Sequence, residues 1–469
     1  MNDLVFEPAV RQLELVRTGQ VSVAELAEAH LQQIERLNPT INAFADFDAD
    51  RVRAEARRLD RLQEARGALH GLPVTVKSSI ATAGYRCEIG SLLRAGEIPR
   101  EDAVVVARLR AAGALIIGVT NCPEFLMAYE TANLLHGCTR NPWDLERSPG
   151  GSSGGESAAI AAGMSAAGLG SDSGGSVRVP AHFTGICSLK PTPGRIPARG
   201  HLPPCVGPFS ILGAIGPMAR TIGDVALLFE ALSGRDPIDP ASAPVALKRL
   251  RPEELRAKTI GFFEDDGLVP VTPESRAAVN AAATALREAG FRLKPFRPRT
   301  LEQLRKLWWT FFVQCGAMFY EAEIRNRRAK LSPIFSEFLG IAEDAGPLSA
   351  KELLNAWAEL DLLRAKTLAE MSEYPILLCP VASIPAFRHG ERAWSIDGKS
   401  VGYLDAMRFT QWFNALACPA AVVPVGASPE GRPIGVQIAG QPFDDEAVLG
   451  VAAVVDAAFG YRRPPMAFA

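Results

Sequence analysis

The sequence predicts an α/β fold: one large domain whose β-sheet is covered by helices on both faces. Three observations predict it. Short apolar runs typical of buried strands recur along the chain, and segments with a helical pattern lie between them. Hydrophobic residues make up 48% of the 469 residues, which supplies a large core. No repeat, low-complexity linker or change in composition divides the chain, so we expect residues 1–469 to form a single domain.

Helices are predicted over the first 65 residues and again before Gly290. Ser22 and Glu25 have the spacing of a capping box, and leucine and isoleucine residues follow at helical intervals. Thr272 is placed to cap the later helix, in which Pro273 takes the first position and which ends near Gly290.

The predicted strands are short apolar runs, most with glycine or proline in or beside them. They are Gly71 to Lys77, Leu115-Ile116-Ile117, Ile260-Gly261-Phe262-Phe263, Phe291 to Pro295, Ile376-Leu377-Leu378, Ala421-Val422-Val423 and Ile434-Gly435-Val436-Gln437-Ile438. The segment from about 300 to 372 differs, because six aromatic residues fall between Trp308 and Tyr320 and long helical patterns follow. Those aromatic residues fit either the core or the wall of an apolar pocket.

The composition excludes several classes of function. The 50 Lys and Arg nearly balance the 52 Asp and Glu, and a net charge of −2 is too small to hold nucleic acid by counterion release. The first residues include an early acid and no long apolar run, so no secretory signal peptide is expected. The small-residue stretch 158–169 is too short to span a membrane. We therefore expect neither nucleic acid nor a membrane as a partner.

The eight cysteines are scattered, without a C-x-x-C pair and without histidines at zinc spacing. Buried free thiols in a reducing cytosol are the simplest account. We expect a cytoplasmic protein with no metal and no other cofactor. The sequence leaves open whether it is a monomer or a homodimer.

Two stretches rich in glycine and serine lie close together in the chain. They are Pro149-Gly150-Gly151-Ser152-Ser153-Gly154-Gly155 and Gly170-Ser171-Asp172-Ser173-Gly174-Gly175-Ser176-Val177-Arg178-Val179-Pro180. A flexible linker is excluded, because the small apolar residues from Ala158 to Gly168 predict a buried helix between them. Glycines of this kind instead bring backbone N–H groups close to a ligand.

Ser176 is the candidate nucleophile of this region. A serine that attacks an amide needs donors where the carbonyl oxygen becomes negative, and a base that takes its proton. Because Gly174 and Gly175 have no Cβ, the backbone amides can curl into an anion-binding nest. The predicted oxyanion hole consists of Ser173, Gly174, Gly175 and Ser176.

Lys77 is the candidate base, since none of the six histidines has a convincing Ser-His-Asp context. The apolar neighbours of Lys77 in the predicted strand would desolvate its ammonium. That desolvation would lower its pKa from about 10.4 towards neutrality.

Three separated motifs resemble those of the amidase signature enzymes, in the order and spacing of that family. They are Gly71-x-Pro73-x-x-x-Lys77, Gly150-Gly151-Ser152-Ser153-Gly154-Gly155 and Asp172-x-Gly174-Gly175-Ser176-x-Arg178-x-Pro180. Shorter matches at 120–125, 185–192 and 435–438 extend the resemblance over most of residues 20–465. It implies that the sheet of the α/β fold is mixed and twisted, with residues 71–197 as the signature core.

The resemblance also implies the roles of three residues. Ser176 would be the nucleophile, Ser152 a proton-relaying serine held by a cis peptide bond, and Lys77 the base. Water would then hydrolyse the acyl-enzyme.

Three further residues, Asp172, Arg178 and Ser153, are expected to support the site, with structural and catalytic roles both open. One position departs from the family pattern, in which an acidic residue usually follows the lysine. Here Ser78 stands in that place. The charge environment of the base is therefore an open question.

The reaction implied is hydrolysis of the C–N bond of a small amide. The aromatic cluster favours an apolar or aryl amide, and a carbamate or ester would present the same carbonyl. We expect the helical segment 300–372 to shape the substrate pocket. The expected pocket residues are Phe125, Met127, Trp308, Trp309 and Phe312.

Other interpretations stay open at this stage. An α/β-hydrolase esterase would use Ser153 as a G-x-S-x-G nucleophile with His389, but residues 141–149 resemble a loop instead of the strand that such an elbow requires. A nucleotide-binding protein would need a phosphate motif that is absent. A scaffold on an inactivated amidase fold would have to be inactive for a reason other than loss of the three catalytic residues. Within the family, a glutaminase like the one in glutamyl-tRNA amidotransferase is disfavoured, because 349–374 lacks the Tyr-rich motif of that glutaminase.

Overall fold

The computed structural model describes residues 3–62 and 64–468. In chain order its α-helices are α1 (Ala9–Arg17), α2 (Val23–Ile41), α3 (Ala49–Asp60), α4 (Val104–Ala111), α5 (Gly154–Ala161), α6 (Arg178–Thr184), α7 (Phe209–Leu212), α8 (Ile222–Leu232), α9 (Pro252–Arg256), α10 (Pro273–Glu288), α11 (Leu301–Trp309), α12 (Cys315–Ile324), α13 (Pro333–Asp344), α14 (Ala350–Glu370), α15 (Tyr403–Ala406), α16 (Arg408–Ala415) and α17 (Asp445–Phe459). A π-helical turn, Thr310–Gln314, joins α11 to α12. In the ranges described, no helix is both long enough and apolar enough to cross a membrane.

The strands are β1 (Phe44–Asp46), β2 (Pro73–Lys77), β3 (Leu115–Thr120), β4 (Ala132–Asn133), β5 (Gly137–Cys138), β6 (Ala167–Asp172), β7 (Cys187–Lys190), β8 (Ala214–Ala219), β9 (Ile260–Phe262), β10 (Leu293–Pro295), β11 (Ile376–Pro380), β12 (Ala393–Ile396), β13 (Lys399–Gly402), β14 (Ala420–Ala427) and β15 (Pro433–Gly440). Eleven of them form one sheet in the order β1-β3-β2-β6-β8-β7-β14-β15-β11-β9-β10.

The sheet is mixed, as expected. Strand β2 runs parallel to β3 and β6, and β9 runs parallel to β10 and β11. The other neighbours are antiparallel, including β7 and β14, which join the strands of the first half of the chain to those of the second half. Because both halves share one sheet, the chain forms a single α/β domain.

Helices cover both faces of the sheet because successive side chains of a strand point to opposite faces. On β11, Ile376 and Leu378 lie in the core layer that contains α8, α10 and α17, whereas Leu377 and Cys379 lie in the layer of α11 and α16. On β3, Leu115 joins the layer of α2 and α3. The apolar runs of the sequence are thus strands buried on both sides.

The predicted capping box is confirmed: the side chain of Ser22 accepts from the Glu25 N–H, and the Glu25 carboxylate accepts from the Ser22 N–H. Thr272 precedes α10 as expected but makes no side-chain cap. Its hydroxyl donates to the Ser275 hydroxyl instead, at 3.1 Å. The first 65 residues also contain β1, which pairs with β3.

The helix expected from Ala158 to Gly168 lies earlier in the chain, as α5. Gly163 has a φ of 73°, a left-handed conformation that ends the helical turn, and β6 begins at Ala167. Tertiary pairing explains the shift, because β6 fills the space between β2 and β8. Small residues suit a buried helix and a central strand equally well.

Candidate active site

The candidate catalytic residues meet at one edge of the sheet. Lys77 is the last residue of β2, and Ser171 is the residue before the end of β6. These two strands are parallel neighbours, so their carboxyl ends lie together. Ser152 and Ser176 each stand two residues before a helix, α5 and α6 respectively.

Lys77 contacts two serine hydroxyls. Its Nζ lies 2.7 Å from Oγ of Ser152 and 3.1 Å from Oγ of Ser171. The side chain is fully buried, and this burial lowers the pKa of Lys77 to about 8, against the opposing pull of Cys122, Asp172 and Glu156. The lysine can thus be neutral in mildly alkaline solution, as a base must be.

Ser78, which stands where the family usually has an acidic residue, contacts a buried thiol. The Ser78 Oγ lies 3.3 Å from the Cys122 Sγ, and both residues are buried. The charge of a carboxyl group on α5, that of Glu156, also acts on the lysine. Glu156 accepts from the hydroxyls of Thr75 and Thr120, and burial raises the pKa of Glu156 to about 8.

Ser152 and Ser176 border the same pocket, and the Gly151–Ser152 peptide bond is cis. The Ser153 N–H donates to the Ser176 carbonyl at 3.1 Å, which ties the two serine loops together. Among the described residues, the hydroxyls of Ser152 and Ser176 form no hydrogen bond with each other. The direct hydrogen bonds among the candidate catalytic residues are therefore those that Lys77 makes.

The loop of the predicted oxyanion hole has three unengaged N–H groups. Within the described ranges, the backbone N–H groups of Ser173, Gly174 and Ser176 donate to no protein acceptor. The fourth predicted donor, the Gly175 N–H, is engaged by the Asp172 Oδ1 at 2.8 Å. Gly175 has a φ of 125°, a region that only glycine adopts without strain.

Asp172 and Arg178 form a buried ion pair beneath this loop. Arg178 donates from Nη2 to Oδ1 at 2.9 Å and from Nε to Oδ2 at 3.0 Å. Although burial opposes ionisation, Arg178 holds the pKa of Asp172 well below its usual range. The carboxylate thus stays charged and fixes the Gly175 and Val177 N–H groups that it accepts.

The two residues of the esterase alternative have different hydrogen-bond partners. The Ser153 hydroxyl is fully buried and donates to the Ser171 carbonyl at 3.3 Å. The ring nitrogens of His389 lie 3.1 Å from the Glu130 Oε2 and 3.0 Å from the Thr139 carbonyl. No contact supports a Ser153–His389 pair.

A small pocket lies at the site, and its lining includes Ser152, Ser171, Ser173 and Ser176. Its apolar wall includes three of the predicted residues: Phe125, Met127 and Phe312. Trp308 and Trp309 do not line it. Trp308 packs behind Phe312, with ring centroids 4.8 Å apart, and Trp309 is half-buried against the apolar cluster that contains Phe125 and Met127.

Several residues of the site carried no recognised signal in the sequence. They are Leu126, Ser171, His201, Pro203, Cys205 and Phe209. Ser171 lies inside the second glycine-serine stretch, so its position could have suggested it. Burial lowers the pKa of His201 to about 4, and its Nδ1 lies 2.7 Å from the Pro203 carbonyl. His201 is therefore a neutral ring at the pocket wall.

All eight cysteines are free thiols. Across the described ranges, no three His, Cys, Asp or Glu side chains cluster as metal ligands would.

Comparison with known proteins gives a consistent result. A protein-family model described as Amidase matches residues 25–449. An indoleacetamide hydrolase from Bradyrhizobium diazoefficiens is 34% identical over 462 residues, covering 96% of this chain and 86% of that protein. An acylamidase from Rhodococcus erythropolis is 34% identical, covering 94% of this chain and 93% of that protein.

A glutamyl-tRNA(Gln) amidotransferase subunit from Koribacter versatilis is 32% identical, covering 94% of this chain and 96% of that protein. Among solved structures, a 6-aminohexanoate cyclic dimer hydrolase complexed with substrate superposes with a TM-score of 0.85 at 29% identity. The match covers 99% of both chains.

Proposed function

The chain belongs to the amidase signature family of C–N amidohydrolases, and from this premise we propose that it cleaves a small apolar or aryl amide through an acyl-enzyme on Ser176. One observation carries the proposal. The buried Nζ of Lys77 lies 2.7 Å from the Ser152 hydroxyl, at the edge of a pocket that Ser176 also lines.

In the first half of the reaction, neutral Lys77 takes the proton of the Ser152 hydroxyl. Ser152 in turn takes the proton of Ser176, whose oxygen attacks the carbonyl carbon of the amide. Substrate binding must bring the two serine hydroxyls within hydrogen-bond distance for this transfer. The free N–H groups of Ser173, Gly174 and Ser176 then stabilise the negative oxygen.

In the second half, the proton returns through Ser152 to the nitrogen of the substrate. The C–N bond breaks, the amine leaves, and the acyl group remains on Ser176 as an ester. Water then attacks this ester with the same base and the same donors. The products are a carboxylic acid and an amine, and the enzyme regains its starting protonation.

The pocket supports an apolar substrate. Beside the serines, its wall is made mainly of apolar side chains such as Phe125, Met127 and Phe312. The segment 300–372 contributes Phe312 to this wall, and from this contact we infer that the segment shapes the pocket. The name of the indoleacetamide hydrolase relative contains an aryl acetamide, the chemical type proposed here.

The same wall argues against glutamine as the substrate. Glutamine carries an α-ammonium and an α-carboxylate, and burial of either ion requires a charged or strongly polar partner. No charged side chain lines the pocket in the described part of the chain, and His201 is neutral. We therefore favour an amidase for apolar amides over a glutaminase like the amidotransferase relative.

The first prediction concerns the nucleophile and the substrate together. An active-serine phosphonate should label Ser176, and Ser176→Ala should lower turnover by about 10⁶-fold, the order seen when a serine hydrolase loses its nucleophile.

With the wild type, kcat/KM for phenylacetamide should exceed that for acetamide by about 10- to 100-fold, because a buried phenyl group contributes about 1.5–3 kcal/mol.

Glutamine serves as the control substrate, since it has the same primary amide without the apolar group. Labelling of Ser153 in place of Ser176 would refute the mechanism. Equal kcat/KM for phenylacetamide, acetamide and glutamine would refute the substrate class and leave the mechanism intact.

A further inference from the structure

Side chains outside the oxyanion loop donate hydrogen bonds to its carbonyl groups. The Ser173 carbonyl accepts from the Trp308 Nε1–H at 2.8 Å. The Gly174 carbonyl accepts from the hydroxyls of Tyr129 at 2.8 Å and Thr410 at 2.6 Å. In a trans peptide the C=O and the following N–H point in opposite directions. Each donor therefore sets the direction of an N–H group on the other side of the loop.

Trp308 binds a peptide plane that carries one of the unengaged N–H groups. The plane it binds carries the Gly174 N–H, one of the unengaged donors, whereas the next plane carries the Gly175 N–H, which Asp172 already occupies. In the described structure, Trp308 is the one protein donor to the Ser173 carbonyl. Among the described residues, no other side chain donates to this carbonyl.

The indole is tightly placed for this role. Trp308 is fully buried, and a Cβ on Gly174 would lie 2.7 Å from its Cζ2, so the ring rests directly on the loop. Its other face stacks on Phe312, with an interplanar angle of 13°. Phe312 lines the substrate pocket. The indole thus lies between the pocket wall and the oxyanion loop.

We propose that Trp308 is a positioning residue, whose Nε1–H holds the Ser173–Gly174 peptide so that the Gly174 N–H faces the oxygen of the carbonyl attacked by Ser176. The inference rests on the proposed function. It assigns Trp308 a part in transition-state stabilisation and not in the substrate wall. The segment 300–372, through α11, then contributes to the chemical step as well as to the pocket.

The test removes the N–H and keeps an aromatic side chain. In Trp308→Phe, kcat for phenylacetamide should fall about 10- to 100-fold, less than the roughly 10²–10³-fold that loss of a whole oxyanion donor costs. KM should stay nearly unchanged, because the neutral carbonyl of the substrate depends less on the donor. Acylation and deacylation both pass through an oxyanion, so kcat reports the effect whichever step is slower.

Two inhibitors separate positioning from packing. Benzyl trifluoromethyl ketone adds to a serine and places an oxyanion in the hole, whereas the corresponding trifluoromethyl carbinol cannot. The affinity of Trp308→Phe for the ketone should fall by the same factor as kcat/KM, and its affinity for the carbinol should not change.

Trp412→Phe is the matched control. Trp412 is equally buried in the same aromatic cluster, and its Nε1–H has no acceptor in the described residues. This variant should keep wild-type kcat and ketone affinity. If Trp308→Phe does not fold, benzothienylalanine at position 308 replaces the N–H by sulfur with nearly the same shape, and the same fall in kcat is expected.

Wild-type kcat and ketone affinity in a folded Trp308 variant would overturn the inference. So would a raised KM with unchanged kcat, because that result makes Trp308 part of the pocket wall. Activity in Ser176→Ala would instead refute the proposed function itself, so the two failures can be told apart.

Discussion

Two lysines in this molecule share almost every property except their neighbours. Lys77 ends β2 and Lys190 ends β7, and both side chains are fully buried in the same sheet. In each case burial is the main cause that lowers the lysine pKa to about 8. Burial is therefore the main reason that either amine can be neutral in mildly alkaline solution.

The contacts of the two amines separate them. The Nζ of Lys77 touches the hydroxyls of Ser152 and Ser171 beside a pocket. The Nζ of Lys190 donates to the Pro191 carbonyl at 3.0 Å, and a carbonyl has no proton to give. A lowered pKa thus shows that a lysine is buried, whereas a hydroxyl within hydrogen-bond distance of its amine identifies it as a candidate base.

The largest effect is expected from the same substitution at both lysines. Lys77→Met should lower kcat/KM for phenylacetamide by about 10²–10⁴-fold, the usual contribution of general acid–base catalysis. Lys190→Met should leave it nearly unchanged, since its amine meets no reacting group. Steady-state kinetics of both variants measure the contrast, with circular dichroism as the check of folding.

The ester analogue sharpens this contrast. Lys77→Met should lose hydrolysis of the phenyl ester of phenylacetic acid less severely than that of phenylacetamide, because a phenolate leaves without the returned proton and an amine does not. Equal losses in the two lysine variants would show that burial and not contact with Ser152 decides the function.

A smaller effect is expected in the pH dependence. Protonated Lys77 cannot accept a proton, so kcat/KM should fall below about pH 8, tenfold for each unit, and form a plateau above it. Lys190→Met should keep this acid limb, although the pKa of Lys190 is also lowered to about 8. A limb that moved in Lys190→Met, or one centred near the ordinary histidine pKa of about 6.5, would assign the base elsewhere.

The smallest effect concerns the buried carboxyl of Glu156, whose charge acts on Lys77. Where Glu156 is ionised, above its pKa of about 8, it favours the charged form of Lys77, so Glu156→Gln should lower the lysine pKa and move the acid limb to lower pH by less than about one unit. Glutamine keeps partners for Thr75 and Thr120. A shift to higher pH would contradict the assigned direction.

The sequence predicts the strands better than the contacts between distant residues. Buried strands such as β11 and β15 appear as apolar runs because both of their faces are covered, and the three motifs locate Lys77, Ser152 and Ser176. Because each motif is a short run of residues, the motifs also predict which residues lie next to the proposed nucleophile along the chain.

The supports of that loop come from far along the chain and carry no motif. Tyr129 and Thr410 bind a carbonyl of the loop, and their sequence neighbours suggest only packing. Helical spacing explains why Trp308 and Phe312 stack, but it does not say which face of α11 meets the pocket. Only the packed structure shows which face of α11 meets the pocket.

Arg178 joins the glycine-serine loop to residues that are synthesised much later. Besides Asp172, the acceptors of its guanidinium are the Thr410 carbonyl and the side chains of Asn414 and Gln437, which leave the ribosome long after that loop does. Until those residues are synthesised, this buried cation lacks three of its acceptors. A nascent chain therefore contains all three proposed catalytic residues before the contacts that fix Arg178 can form.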